Sequence, residues 1–202
     1  MMNYPDAEEL FKRDFGFENN MVILRPLLQT DIDEYRTLVF DENIWKYFAI
    51  AINNEEDLQS FISNAVQDRI NKTRVTFTSI DKKSGKITGS SSFGNFSFRD
   101  KRVEIGWTWV APQFQKTGIN RSNKFLLLQY AFEGLGMERV EFKTDVLNVK
   151  ARKGLKGIGC TEEGILRSHT LMQFGRRRDT IYYSILKDEW PAIKDTIFKD
   201  YK

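Results

Sequence analysis

Residues 103–121 read VEIGWTWVAPQFQKTGINR, and this stretch decides the fold. An alternating strand runs into Pro112. A short loop follows, and Gln115-Lys116-Thr117-Gly118-Ile119-Asn120 opens an apolar helix. The first N–H groups of a helix have no intrahelical partner, and the macrodipole places its positive end there. Such a start is a socket for phosphate. Gly118 carries no side chain, so a bulky anion can approach the main chain closely. Lys116 and Arg121 lie at the same positive end, where cations are mildly unfavourable unless a polyanion reverses the sign. The plain alternative is that both point into water. A nucleotide-triphosphate loop does not fit, because the Lys and Thr precede the Gly.

Composition bounds the rest. A chain of 202 residues suits one domain with a sizeable core. Hydrophobic content of 41% and aromatic content of 13% are those of a globular protein. No apolar run approaches the roughly 20 residues of a membrane span. The N-terminal MMNYPDAEELFKRDFGF lacks the pattern of a secretory signal. One Cys suits a reducing, cytoplasmic setting, and one Cys with one His argues against a metal site. A net charge of +3 is too small to argue for nucleic acid.

Periodicity orders the chain. Residues 1–20 read as a loosely attached lead-in, 21–190 as the folded domain and 191–202 as a tail. Strands are predicted at 21–26, 74–80, 87–96, 103–111 and 140–145, with a closing hairpin of 165–174 and 179–186 around Gly175. Thr30 is the expected cap of a helix bearing Ile32, Tyr35, Leu38 and Val39. Asn54 caps a second helix, bearing Leu58, Phe61, Ile62 and Ala65. Further helices follow from Gly118 and from Asn148. Strands interleaved with helices imply an α/β (α+β) architecture with a mixed sheet covered by helices.

Gln115-x-x-Gly118-x-Asn120 after a strand, followed by Asn148 and Gly159, resembles the GNAT N-acetyltransferases. The nearest group is the ribosomal-protein-alanine acetyltransferase-like (RimJ/RimL) branch. GIN at 118–120, RVEFKTD at 139–145 and RDTIYYSILKDEW at 178–190 carry the likeness. The usual motif ends in Gly or Ala where this chain has Asn120. The resemblance implies a GNAT fold with a mixed sheet of about seven strands. A splayed pair of these forms the acetyl-CoA cleft. It implies acetyl transfer to a primary amine, either a protein N-terminus or a small molecule. It also allows a homodimer.

The residues implied for each task follow. Lys116, Thr117, Gly118, Ile119, Asn120 and Arg121 wrap the pyrophosphate. The backbone of Thr108, Trp109 and Val110 bonds the pantetheine arm, and a free amide there serves as an oxyanion donor. Trp107 and Trp109 are otherwise core. Asn148 reads as an N-cap and, by resemblance, as a cofactor contact. Lys150, Arg152 and Lys153 either meet the 3′-phosphate or form a solvated face. Strand alternation puts Glu104, Gly106, Thr108 and Val110 on one face. Glu104 is then the first candidate base and Glu141 the second. The family's usual acid, a Tyr seven residues after the Asn, is replaced by Leu155. Ser122, Tyr182 and Tyr183 are alternatives. Cys160 reads as a small buried hydrophobe and His169 as structural. Arg178-Asp179 is expected to pair. Glu42, Glu55, Glu56 and Asp57 could supply an acidic acceptor wall. An acyl-CoA sensor that has lost its chemistry is the competing reading, and a nucleic-acid-binding protein the third.

Overall fold

The structure, a computed structural model, describes residues 5–201. In chain order it builds α1 (Pro5–Leu10), β1 (Phe17–Glu18), β2 (Val22–Pro26), α2 (Ile32–Arg36), α3 (Glu42–Trp45) and α4 (Glu55–Ile70). Next come β3 (Arg74–Asp81), β4 (Ile87–Ser97), β5 (Arg102–Val110), α5 (Ile119–Gln129) and β6 (Arg139–Asp145). The chain closes with α6 (Val149–Lys156), β7 (Thr161–Leu171), β8 (Arg177–Leu186) and α7 (Trp190–Thr196). All eight strands form one sheet in the order β1-β2-β3-β4-β5-β6-β8-β7. The strand beyond the expected seven is the two-residue β1, too short to show a period. Neighbours are antiparallel except β5 and β6, which are parallel.

Two apolar cores form, one on each face. On one face Phe125, Leu127 and Leu128 of α5 pack with Val103, Ile105, Val140, Phe142 and Trp190. On the other, Tyr35, Trp45, Leu58 and Ile62 enclose Trp109. Each large apolar side chain so buried contributes about 1.5–3 kcal/mol against its exposed state.

Residues near both ends of the described chain belong to this core. Leu10 and Phe11 are buried, Phe15 and Phe17 pack against Phe77 and Tyr130, and Phe198 is fully buried beside Trp190. The lead-in, expected from the sequence to be loosely attached, is packed onto the domain from Leu10 onward, and the segment read as a tail carries Phe198 into the core. Their mixed charge hid an aromatic payload that has to be covered.

The cap of the first long segment also differs. Thr30 lies inside a 3-10 turn, and Asp31 does the capping by accepting the Leu28 N–H at 3.0 Å. Asp31 is buried because Arg25 donates to both its oxygens and the Thr78 hydroxyl donates as well. Asn54 caps α4 as expected, accepting the Asp57 N–H at 2.9 Å. No helix among the described residues is long and apolar enough to cross a membrane.

Candidate active site

β5 and β6 share three rungs, Arg102 with Arg139, Val103 with Val140 and Glu104 with Glu141. No rung joins residues 105–110 to 142–145, so the two strands part after Glu104. β5 is bulged at the same place. Ser90 pairs with Trp109 and Ser92 with Gly106, which leaves Trp107 and Thr108 both opposite Ser91. Trp107 takes a φ of 49°, rare for a bulky residue.

The bulge overturns the simple alternation. Glu104 keeps one face, accepting from Asn95 Nδ2 at 2.7 Å and pairing with Lys143 Nζ at 2.9 Å. Thr108 is shifted by one position onto the α5 face, where Lys124 Nζ donates to its hydroxyl at 2.7 Å. Trp109 turns to the opposite core, against Tyr35 and Trp45. Its ring is core, as one of the two readings held. Trp107 lies between cations, with the Arg74 guanidinium 5.1 Å and Lys143 Nζ 5.8 Å from its ring centre.

Beyond the strand, Gln115 donates to the Val110 carbonyl at 2.9 Å and accepts from Lys150. The loop is thereby tied to both β5 and α6. Gly118 is the N-cap of α5 with a φ of 94°, a value open to Gly and costly for others. Among the described residues, the backbone N–H groups of Thr117, Gly118, Ile119, Asn120 and Arg121 have no acceptor. Lys116, Thr117, Asn120 and Arg121 are exposed, so no described residue plugs this helix start, while the Met21 and Tyr201 side chains lie against one side of Gly118. Arg121 donates to the Gly157 carbonyl at 2.6 Å, bridging to the end of α6. A row of free donors with a basic rim fits a pyrophosphate.

Asn148 caps α6, its side chain accepting the Ala151 N–H at 3.0 Å. Arg152 donates to the Val146 carbonyl and lies near Glu162. Leu155 packs against the α5-side core. Behind it Cys160 is buried, and burial pushes its thiol well above the usual range. Labelling of Cys160 by a soluble disulfide reagent should therefore run on the order of a hundredfold slower in folded than in unfolded protein. Equal rates would contradict the burial.

The other candidates are distributed unevenly. Glu141 sits at the last shared rung but is engaged by Arg139 at 2.8 Å and Arg102 at 3.4 Å. Ser122 does not reach the parting: it is fully buried and exchanges hydrogen bonds with Asn19. Tyr183 is bonded to Glu162 and Arg152, and Tyr182 lies beside His169. The His169 ring meets the Thr180 hydroxyl at 3.1 Å, a structural setting. Asp179 accepts the Ser168 N–H, while Arg176 reaches Asp145 and Arg178 donates to Thr180; the expected Arg178-Asp179 pair is not formed. Glu55 is bound by Arg36, and Asp57 accepts the Asn53 N–H, so neither builds an acidic wall.

A strand pair that parts beside a bulge, above a helix start with free donors, is the arrangement expected of an acyltransferase with an acetyl-CoA cleft. The family model for the acetyltransferase (GNAT) domain matches residues 21–161, and the chain belongs to this family. YdaF of Bacillus subtilis (strain 168), named as a ribosomal N-acetyltransferase, is 36% identical over 110 residues. That match covers 54% of this chain and 59% of YdaF. YnaD of the same organism, an N-acetyltransferase by name, is 27% identical over 74% of this chain and 84% of its own. A GCN5-related N-acetyltransferase from Brucella melitensis superposes with a TM-score of 0.86 at 26% identity. That superposition covers 95% of this chain and 86% of the Brucella chain. An acetyltransferase from T. thermophilus gives 0.83 at 28% identity, covering 93% of this chain and 97% of its own. Members of the family use acetyl-CoA, and the chain is an acyltransferase.

Proposed function

We propose that the chain moves the acetyl group of acetyl-CoA directly to a primary amine, with Glu104 on the proton path. The parting of β5 from β6 beside the Trp107 bulge carries this reading. A pantetheine arm needs main-chain partners, and the parted strands offer an unpaired edge. Lys116 and Arg121 with the free N–H groups of residues 117–121 then hold the diphosphate, and Asn148 borders the same groove. The thioester supplies the activated acyl carbon.

Glu104 faces the side away from α5, so the amine is expected to enter there, past Trp107 and Asn95. Arg74, paired with Asp68, and Lys143, paired with Glu104, flank that approach, so no free carboxylate is left there to hold a cation. An amine that is often neutral suits this entrance better. An α-amine with a pKa of about 7.7–8.0 is neutral in roughly a tenth of molecules near pH 7, a lysine amine in roughly one in a thousand. Protein N-termini and amino-acid α-amines are thus the favoured acceptors. The relatives' names support transfer to nitrogen, one being a ribosomal N-acetyltransferase and another an acetyl coenzyme A-N(2)-transacetylase.

Acetyl-CoA should raise the melting temperature by preferential binding to the native state. Release of free thiol should then depend on added amine, with α-amines ahead of side-chain amines. Failure of acetyl-CoA to bind would remove the proposal. Binding without amine-dependent thiol release would leave an acyl-CoA sensor.

A further inference from the structure

Lys124 stands where an apolar residue is expected. It shares one stripe with Leu127 and Leu128 of α5 and with Ala131 in the turn that continues the helix, and all four are buried. Its Nζ ends under the parting of β5 and β6. There it donates to Ser91 Oγ at 3.2 Å and Thr108 Oγ1 at 2.7 Å and lies 5.6 Å from the Phe142 ring centre. Ser91 and Thr108 are themselves 2.7 Å apart, so three polar groups converge on the bulge. No carboxylate lies within ion-pair distance of Lys124 among the described residues. The ionisable groups that bear on it are Cys160 beyond α6 and Glu104 on β5, and Tyr183 on β8 faces the same core. Glu104 is already paired with Lys143. Burial pushes the Lys124 ammonium down to about 7, with Cys160 and Glu104 opposing the fall.

A lysine buried without a counter-ion is costly, and such groups cluster where a charge is needed intermittently. Thr108 is half-buried on the part of β5 that has left β6, and its hydroxyl, which donates to the Gly106 carbonyl at a long 3.3 Å, is placed to turn from that bond towards the groove. Resting on the proposed seating of acetyl-CoA between β5 and β6, we propose that Lys124, acting through the Thr108 hydroxyl, supplies the proton taken up by the leaving thiolate.

The step balances. The amine nitrogen bonds to the acyl carbon, and the electron pair of the breaking C–S bond stays on sulfur. Thr108 gives its hydroxyl proton to that sulfur and takes one from the Lys124 ammonium, leaving a neutral amine. The proton lost by the acylated nitrogen passes to the Glu104 side and on to solvent, and solvent restores Lys124. Lys124 is a positioning residue in this scheme, because Thr108 makes the contact.

Lys124→Met keeps the length and removes the charge. At saturating amine, kcat should fall by about tenfold or more below pH 7, with acetyl-CoA affinity within about threefold of wild type. The ratio of wild-type to variant kcat should decline towards one as the pH rises from 7 to 9, because wild type then loses its ammonium. Free protein gives a second readout. A lysine whose folded value lies below its unfolded one disfavours folding at low pH, and the penalty fades as pH climbs from about 7 towards the unfolded value. Lys124→Met should therefore melt higher than wild type at pH 6, with the gap closing by pH 10. Thr108→Val should reproduce the kinetic loss, and it carries the test if the lysine variant does not fold. A kcat ratio independent of pH overturns this assignment alone. Wild-type protein that does not bind acetyl-CoA overturns both this assignment and the proposed function.

Discussion

Glu104→Gln is expected to lower turnover by on the order of 10²–10⁴-fold, the usual worth of a positioned proton acceptor. The carboxylate sits at the last rung before β5 leaves β6 and is only 4% exposed. Gln preserves its size and can still accept from Asn95, so the bulge geometry should persist. What disappears is the negative charge beside the entering amine. Removing one partner of a buried ion pair normally strands the other. Here Lys143 is 26% exposed and can turn to water, so stability should change little. Calorimetric titration with acetyl-CoA should give an unaltered affinity, because the donors at the start of α5 are untouched. Unchanged kcat at saturating amine would take Glu104 out of the mechanism. Glu141→Gln would then be the next variant, although its two arginine partners predict a smaller effect.

The largest expected effect on stability belongs to Gly89→Ala. Gly89 pairs with Val110 at the end of β5, with a φ of 150°. An added Cβ would lie 2.1 Å from the Trp109 carbonyl oxygen and 2.9 Å from Val110 Cα. Both are main-chain atoms of a central strand, so no side chain can swing aside. Strained backbone costs about 1–3 kcal/mol and overpacking a similar amount, giving roughly 4 kcal/mol together. That is a large share of the 5–15 kcal/mol that holds a typical domain together, taken as an order of magnitude. Denaturant unfolding would show a midpoint shift of that size or an insoluble product. A loss below about 1 kcal/mol would mean that β4 and β5 slide past each other more easily than their register implies.

Much of this architecture was legible in the sequence. The long strands and helices announced themselves by period, and Asn54, Gly118 and Asn148 by their chemistry at helix starts. The features that escaped share a cause: they depend on what lies opposite. The Trp107 bulge is set by pairing against Ser90 and Ser92, and nothing in GWTW marks an extra residue. Its consequence, Thr108 facing α5 and not the Glu104 side, followed unseen. Asp31 outcompeted Thr30 because Arg25 and Thr78, distant in sequence or on another strand, converge on it. Ser122 had no local signal that Asn19 would claim it. Lys124 was different, since a cation on the stripe of Leu127, Leu128 and Ala131 is visible in the sequence. An amphipathic reading that counts only apolar residues passes over it.

The three parallel rungs between β5 and β6 have a further consequence for how the sheet is held together. β1–β5 form one antiparallel block, and β6–β8 form another. The rungs that join them close a crossover holding α5, and among the described residues these three tie one block to the other within the sheet. A thioester lying across the parting would touch both blocks at once, adding a second tie beside those rungs and holding the two halves of the sheet in one arrangement.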